Sequence, residues 1–215
     1  PVHGLLSPAA FLPALDNSPL AATVGAWVID EACAQASRWR RGGSPGIRIG
    51  VNVFAAQFHV GNLASVIDTA LRKHGLPPEA LEIEVTENIA LGQEDSDFET
   101  LEQISNLGVG IAFDDFGTGY ASLSMLRRFP LTRIKIDRSF VQDIMTSERD
   151  AALIRHLIEM ANGMGIDTIA EGIETEAQNS LLRQSGCMEG QGYLFGKPMS
   201  SKAFASSFLA MKVPA

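Results

Sequence analysis

The chain has 215 residues, 46% of them hydrophobic and 20% charged. That balance suits one soluble α/β domain and excludes a disordered chain, a collagen-like repeat or a disulfide scaffold. Seventeen basic residues against 25 acidic ones leave a formal charge of −8, which argues against a nucleic-acid duplex as partner and requires local help for any anionic ligand.

The first helical pattern is Pro19 to Arg40, with Leu20, Val24, Trp27, Val28, Ala32 and Trp39 at roughly helical spacing. Its apolar part, Leu20 to Ile29, is too short to span a bilayer and has no basic segment before it, so neither a membrane contact nor a signal peptide is predicted. Gly42 to Gly46 end it. Ile47 to Val53 reads as a strand, Leu63 to His74 as a helix and Leu81 to Thr86 as a second strand. A helix over Phe98 to Leu107 leads to a strand over Val109 to Phe113. A short helix over Ala121 to Phe129 precedes a strand over Arg133 to Asp137. The last stretches read as helix Ala151–Met164, strand Asp167–Ala170, helix Glu174–Ser185, short strand Met188–Leu194 and helix Lys202–Met211. Pro1 to Leu15 reads as a loop and lead-in.

Strands separated by single helices imply βαβ units and a parallel sheet. No GxGxxG follows the first strand and no P-loop is present, which weakens a nucleotide-binding doubly wound sheet. The favoured alternative is a (β/α)8 barrel, whose working residues sit at strand ends. Six strands are visible where eight are needed, so a barrel requires about two strands not represented here, whereas an open sheet requires none.

The strand ends carry the chemistry. Strand one offers Asn52, strand two Glu84 and Glu87, strand three Asp114 and Asp115, and strand five Glu171 and Glu174. Strand four carries Lys135 and Asp137, two apart and so on one face. Strand six holds Glu189 and Gln191. A single carboxylate after a strand is ordinarily a helix cap or a solvated charge. Six successive strands delivering oxygen groups to one rim create repulsion that a cation would offset. Oxygen donors without cysteine or histidine suit Mg²⁺, Mn²⁺ or Ca²⁺ rather than zinc. Phosphate-ester hydrolysis commonly uses such a cluster with two metal ions beside a lysine. His3, His59, His74 and His156 lie away from strand ends and read as surface or packing residues. Cys33 and Cys187 read as reduced structural thiols of a cytosolic protein. The Gly117-Thr118-Gly119 turn reads as a mobile loop.

In this setting Leu5-Leu6-Ser7-Pro8-Ala9-Ala10-Phe11, Val51-Asn52-Val53, Glu84-Val85-Thr86-Glu87, the run from Asp114 to Leu123, Lys135-Ile136-Asp137, Glu171-Gly172-Ile173-Glu174 and the run from Gln191 to Pro198 resemble the EAL domain. That bacterial phosphodiesterase family cleaves cyclic di-GMP to linear pGpG. The resemblance implies a modified TIM-type (β/α)8 barrel with an antiparallel first strand, over residues 1–215 as one domain that is partial at its N-terminus. It implies Asn52, Glu84, Asp114 and Glu171 as metal ligands, with Asp115 serving a second metal, for two Mg²⁺ or Mn²⁺ ions, with Ca²⁺ inhibitory. Lys135 resembles the lysine that orients or deprotonates the attacking water, and Asp115 and Glu174 join it as catalytic groups. Pro8, Asn52 and Gln191 resemble nucleotide contacts. Glu87 resembles the support of the loop through Phe116, Gly117, Thr118 and Gly119 that couples the site to homodimerisation. The family also implies fusion to a sensor or diguanylate cyclase domain and a cytoplasmic site of action, including as the cytoplasmic part of a membrane-anchored protein.

One departure is plain. The Glu-Ala-Leu strand, with its metal-ligating glutamate and phosphate-binding arginine, would end just before Pro1. Either a longer protein has been truncated or the ligand has been lost, which would leave a catalytically inactive cyclic di-GMP receptor. The intact downstream ligands favour truncation. The chain alone is then expected to be marginal in stability, with unpaired strand edges.

Overall fold

The strands of this chain are too rich in Ile, Val and Leu on one face, and too rich in charge on the other, to be half-buried in the ordinary way. In Leu81–Thr86 the residues Leu81, Ile83 and Val85 are fully buried, yet Glu82 between them is buried as well. Both faces are therefore covered, as in a parallel sheet whose outer face meets helices and whose inner face meets itself. The computed structural model describes residues 7–16, 18–59, 62–86, 95–116 and 123–209, and in them it shows this arrangement.

The elements run α1 (Pro8–Asp16), α2 (Ala21–Arg41), β1 (Ile49–Asn52), α3 (Ala55–His59), α4 (Leu63–His74), β2 (Leu81–Thr86), α5 (Asp95–Asn106), β3 (Gly110–Phe116), α6 (Leu123–Arg128) and β4 (Arg133–Ile136). They continue with α7 (Arg138–Gln142), α8 (Glu148–Gly163), β5 (Asp167–Ala170), α9 (Glu176–Gln184), β6 (Glu189–Gly190) and α10 (Ser201–Phe204). The six strands pair in chain order, every pairing parallel. The sheet curls into a half-barrel of the TIM-barrel type, and among the described residues β1 and β6 each pair on one side only.

The apolar core lies between the convex face and the helices. Ile83, Ile111, Phe113 and Ile134 meet Ile29, Ile67, Leu71, Leu101 and Ile104 in one cluster. Ile136, Ala170 and Ile173 meet Val141, Ile154, Ile158 and Leu182 in another. Helix ends follow their sequence signals. Gly75 takes a left-handed φ of 59° past α4, Ser147 caps α8, and Thr175 with Gln178 forms a capping box on α9. Cys33 and Cys187 are both buried free thiols, and burial pushes Cys33 up to about 11. No helix of the described residues is long and apolar enough to cross a membrane.

The concave face is charged in two tiers. In the lower tier the guanidinium of Arg133, only 4% exposed, pairs with Glu82 on β2 and with Glu189 on β6, and Glu82 also accepts from Arg48. Gly110 lies beside Glu82 and Thr132, where a methyl would come within 3.3 Å of Thr132 Oγ1. The upper tier, two residues further along each strand, is the acidic rim.

Several expectations are corrected by these elements. Part of the expected lead-in is helical, as α1. Strand β3 runs three residues beyond Phe113, and β4 stops at Ile136. Asp137 does not share a strand face with Lys135 but caps α7, accepting a hydrogen bond from the Ser139 amide at 2.9 Å. Strand β6 has two residues because Gly192, at φ 153°, turns the chain away. Short helices α3 and α7 have too few residues to show a period in sequence.

The lower tier yields a test. Arg133→Met leaves Glu82 with only the half-exposed Arg48 as partner and is expected to lower stability by about 3 kcal/mol in urea denaturation, with Glu82→Leu added on top recovering most of the loss.

Candidate functional site

Parallel strands in register place equivalent residues side by side. Asn52 of β1 lies opposite Glu84 of β2, and Lys135 of β4 opposite Ile169 of β5, so Glu171 emerges one turn of the pleat above Ile169. The result is convergence on one ammonium group. Lys135 Nζ lies 2.7 Å from Glu84 Oε2, 2.8 Å from Asp114 Oδ1 and 2.8 Å from Glu171 Oε1. Asn52 Nδ2 donates to Glu84 Oε2 at 3.2 Å, and Gln191 Nε2 donates to Glu171 Oε1 at 2.7 Å.

Bringing Asp114 and Asp115 to the same place is a backbone problem, because consecutive strand residues point to opposite faces. The chain solves it with a register shift against β4 between Phe113 and Phe116, and with a φ of 53° at Asp115. Asp115 is the extra residue of a bulge, in the left-handed region that Asp tolerates better than most side chains. Phe116 thereby returns to the helix side and packs edge-on against Phe113. Carboxylate oxygens of Asp114, Asp115 and Glu171 all come within 4.8 Å of one another.

The electrostatics follow from crowding. Burial works against the charge of Lys135, but Glu84, Asp114 and Glu171 outweigh it and hold the ammonium well above the ordinary lysine value. Burial raises Glu171 against the pull of Lys135. Burial, then the neighbouring Asp114 and Asp137, push Asp115 above the ordinary carboxylate value, with Lys135 opposing. Four carboxylates around a single ammonium leave an excess of negative charge, and their donors are all oxygen. This set fits a hard divalent cation.

Of the residues expected from sequence, Asn52, Glu84, Asp114, Asp115, Lys135, Glu171 and Gln191 are thus assembled. Glu174 stays off the cluster: it is exposed, and its amide donates to Gln178 Oε1. Pro8 opens α1. Glu87, Gly117, Thr118 and Gly119 lie outside the described residues. Sequence reasoning overlooked Gly50. A methyl there would come within 2.1 Å of Glu84 Oε1, so the glycine holds open the space that carboxylate fills. A glycine inside a strand was the available signal.

The EAL domain model matches residues 1–198. The chain belongs to the EAL domain family. It is 41% identical over 207 residues to the bifunctional diguanylate cyclase/cyclic di-GMP phosphodiesterase MucR of Pseudomonas aeruginosa, covering 96% of this chain and 30% of MucR. The signaling protein YkoW of Bacillus subtilis is 38% identical over 93% of this chain and 25% of its own length. This EAL chain therefore spans about a third or less of these relatives. Among solved structures, the MucR phosphodiesterase in complex with cyclic di-GMP superposes with a TM-score of 0.89, covering 95% of this chain and 83% of that one. The calcium/cyclic di-GMP complex of Klebsiella pneumoniae BlrP1, 28% identical, superposes at 0.81 over 91% of this chain and 49% of that one, and its manganese counterpart at 0.77.

Gly50→Ala is expected to lower the melting temperature modestly, since the flexible end of Glu84 must shift from its contact with Lys135. Mn²⁺ affinity, read by calorimetric titration, should fall by about tenfold as Glu84 is displaced.

Proposed function

We propose that this EAL domain hydrolyses cyclic di-GMP to linear pGpG with Mg²⁺ or Mn²⁺ bound at the acidic rim. The observation that carries the reading is the convergence of Glu84, Asp114 and Glu171 on Lys135, with Asp115 turned toward the same point. The cyclic di-GMP complexes of MucR and BlrP1 support the ligand, and the calcium and manganese in the BlrP1 complexes support the class of ion. Asp114, Asp115 and Glu171 would hold the ions, with Glu84 and Asn52 completing the set on the β1–β2 side. Bound divalent ions would polarise the phosphate and lower the pKa of a water.

The protein side of the chemistry rests on charge and position. Lys135, protonated, spends its three N–H donors on Glu84, Asp114 and Glu171, and its role is to orient those carboxylates and to set a fixed positive charge beside the phosphate. The water oxygen bonds to phosphorus and the ribose 3′ oxygen leaves, giving a 5′-phosphate at one end of the dinucleotide. Gln191 and Asn52 fix the rotamers of Glu171 and Glu84, so the oxygens face inward before any ligand arrives. We likewise infer homodimerisation and fusion to a cyclase or sensor domain, the latter in line with the bifunctional MucR.

Chromatography of cyclic di-GMP incubated with Mg²⁺ and protein tests the activity. This chain should be run beside a form extended upstream by roughly forty residues, about two strands with their connections. The extended form is expected to yield pGpG, to lose that activity in EDTA, and to lose at least about a thousandfold of kcat on Asp114→Asn while melting normally. Unchanged turnover in Asp114→Asn would remove the metal-site assignment. Absence of product from both forms, with binding retained, would make the domain a receptor.

A further inference from the structure

Among the helices, a cavity of about 300 Å³ lies where α2, α3 and α4 meet. Ala26, Leu63 and Val66 belong to its apolar lining, and its polar lining is Thr23, Gln57 and Asn62. Gln57 is 4% exposed. The Phe54 amide donates to Gln57 Oε1 at 2.9 Å, which fixes the other end of the side-chain amide as nitrogen. A side chain at Gly25 of α2 would run into that amide, so the glycine lets Gln57 lie flat against α2. Among the described residues Gln57 Nε2 donates no hydrogen bond. Nor is it sealed in, because Arg133 Nε is the one fully buried side-chain nitrogen or oxygen among them without a bonded partner. Gln57 Nε2 is therefore a free donor at the cavity. The first turn of α4 is a second, independent feature. Its amides at Leu63, Ala64 and Ser65 have no helical acceptor, Asn62 gives no side-chain cap, and the turn carries no acidic residue.

We propose that this cavity binds a small carboxylate on a short apolar stem, its oxygens accepting from Gln57 Nε2 and from the first turn of α4. A carboxylate offers acceptors only, which a partnerless donor and an uncapped helix start both require, and the helix dipole favours its charge. The acceptor half of Gln57 is accounted for by Phe54, at the start of α3; the donor half is what a ligand would complete. The stem would rest on Ala26, Leu63 and Val66. Phosphate fits less well, since it carries more charge and no arginine or lysine among the described residues lines the cavity.

Two-dimensional NMR of the chain tests this by titration with sodium butyrate and with butyramide at constant ionic strength, beside sodium chloride and sodium phosphate. Butyrate is expected to shift the Leu63, Ala64 and Ser65 amides and the Gln57 side-chain amide saturably, with a Kd of about 1–10 mM. Butyramide should bind at least about fivefold more weakly, having lost the charge. Gln57→Glu keeps an acceptor for the Phe54 amide but replaces the free donor with an oxygen, and should weaken butyrate at least about tenfold. Ala26→Leu fills the cavity without touching either donor and should abolish binding; thermal melts confirm that both variants fold. The same shifts in phosphate or chloride would mean an adventitious ion only and overturn the proposal. Equal binding of butyramide, undiminished butyrate binding in Ala26→Leu or in folded Gln57→Glu, or the absence of any saturable shift would overturn it too.

Discussion

One buried ammonium organises this domain. Lys135 is 6% exposed, and an isolated charge at that depth would be strongly disfavoured. It is tolerated because three carboxylates from β2, β3 and the end of β5 reach it within 2.8 Å. The reverse holds equally, since three converging carboxylates would repel one another without it. The pair of requirements fixes the register of four strands at their C-terminal ends, where the rim must form. A cation held at the rim would add positive charge to a site whose geometry is already set, so little reorganisation would accompany it.

The same strands carry a second charged tier below the first. Arg133 and Lys135 alternate with Ile134 and Ile136, and Glu82 and Glu84 alternate with Ile83 and Val85. Helix-side residues build the apolar cores, and concave-side residues build ion pairs. Gly50 is the small residue that makes room for Glu84 on that inner face.

Much of this was legible in the sequence. The βαβ alternation gave a parallel sheet, and the positions of Asn52, Glu84, Asp114, Lys135 and Glu171 just inside or after apolar runs pointed to one rim. The bulge at Asp115 was not legible. Two adjacent aspartates after a strand suggested ligands, but period-two alternation alone would send one of them outward, and only the left-handed φ reconciles them. The end of β4 was misjudged for a related reason, because Asp137 continues the alternation while its side chain is drawn to the start of α7. Gly50 drew no notice because its importance lies in what stands across from it on another element, which local pattern does not encode.

The backbone at Asp115 also shapes how this domain can change over generations. A position in the left-handed region admits Asp, Asn and Gly with little conformational cost and resists most other side chains. Two of those three remove the negative charge while sparing the bulge, the packing of Phe116 and the lower tier. The tolerated substitutions are thus the ones that alter chemistry and not shape. Substitution at this position can therefore change the charge of the rim while leaving the scaffold unharmed.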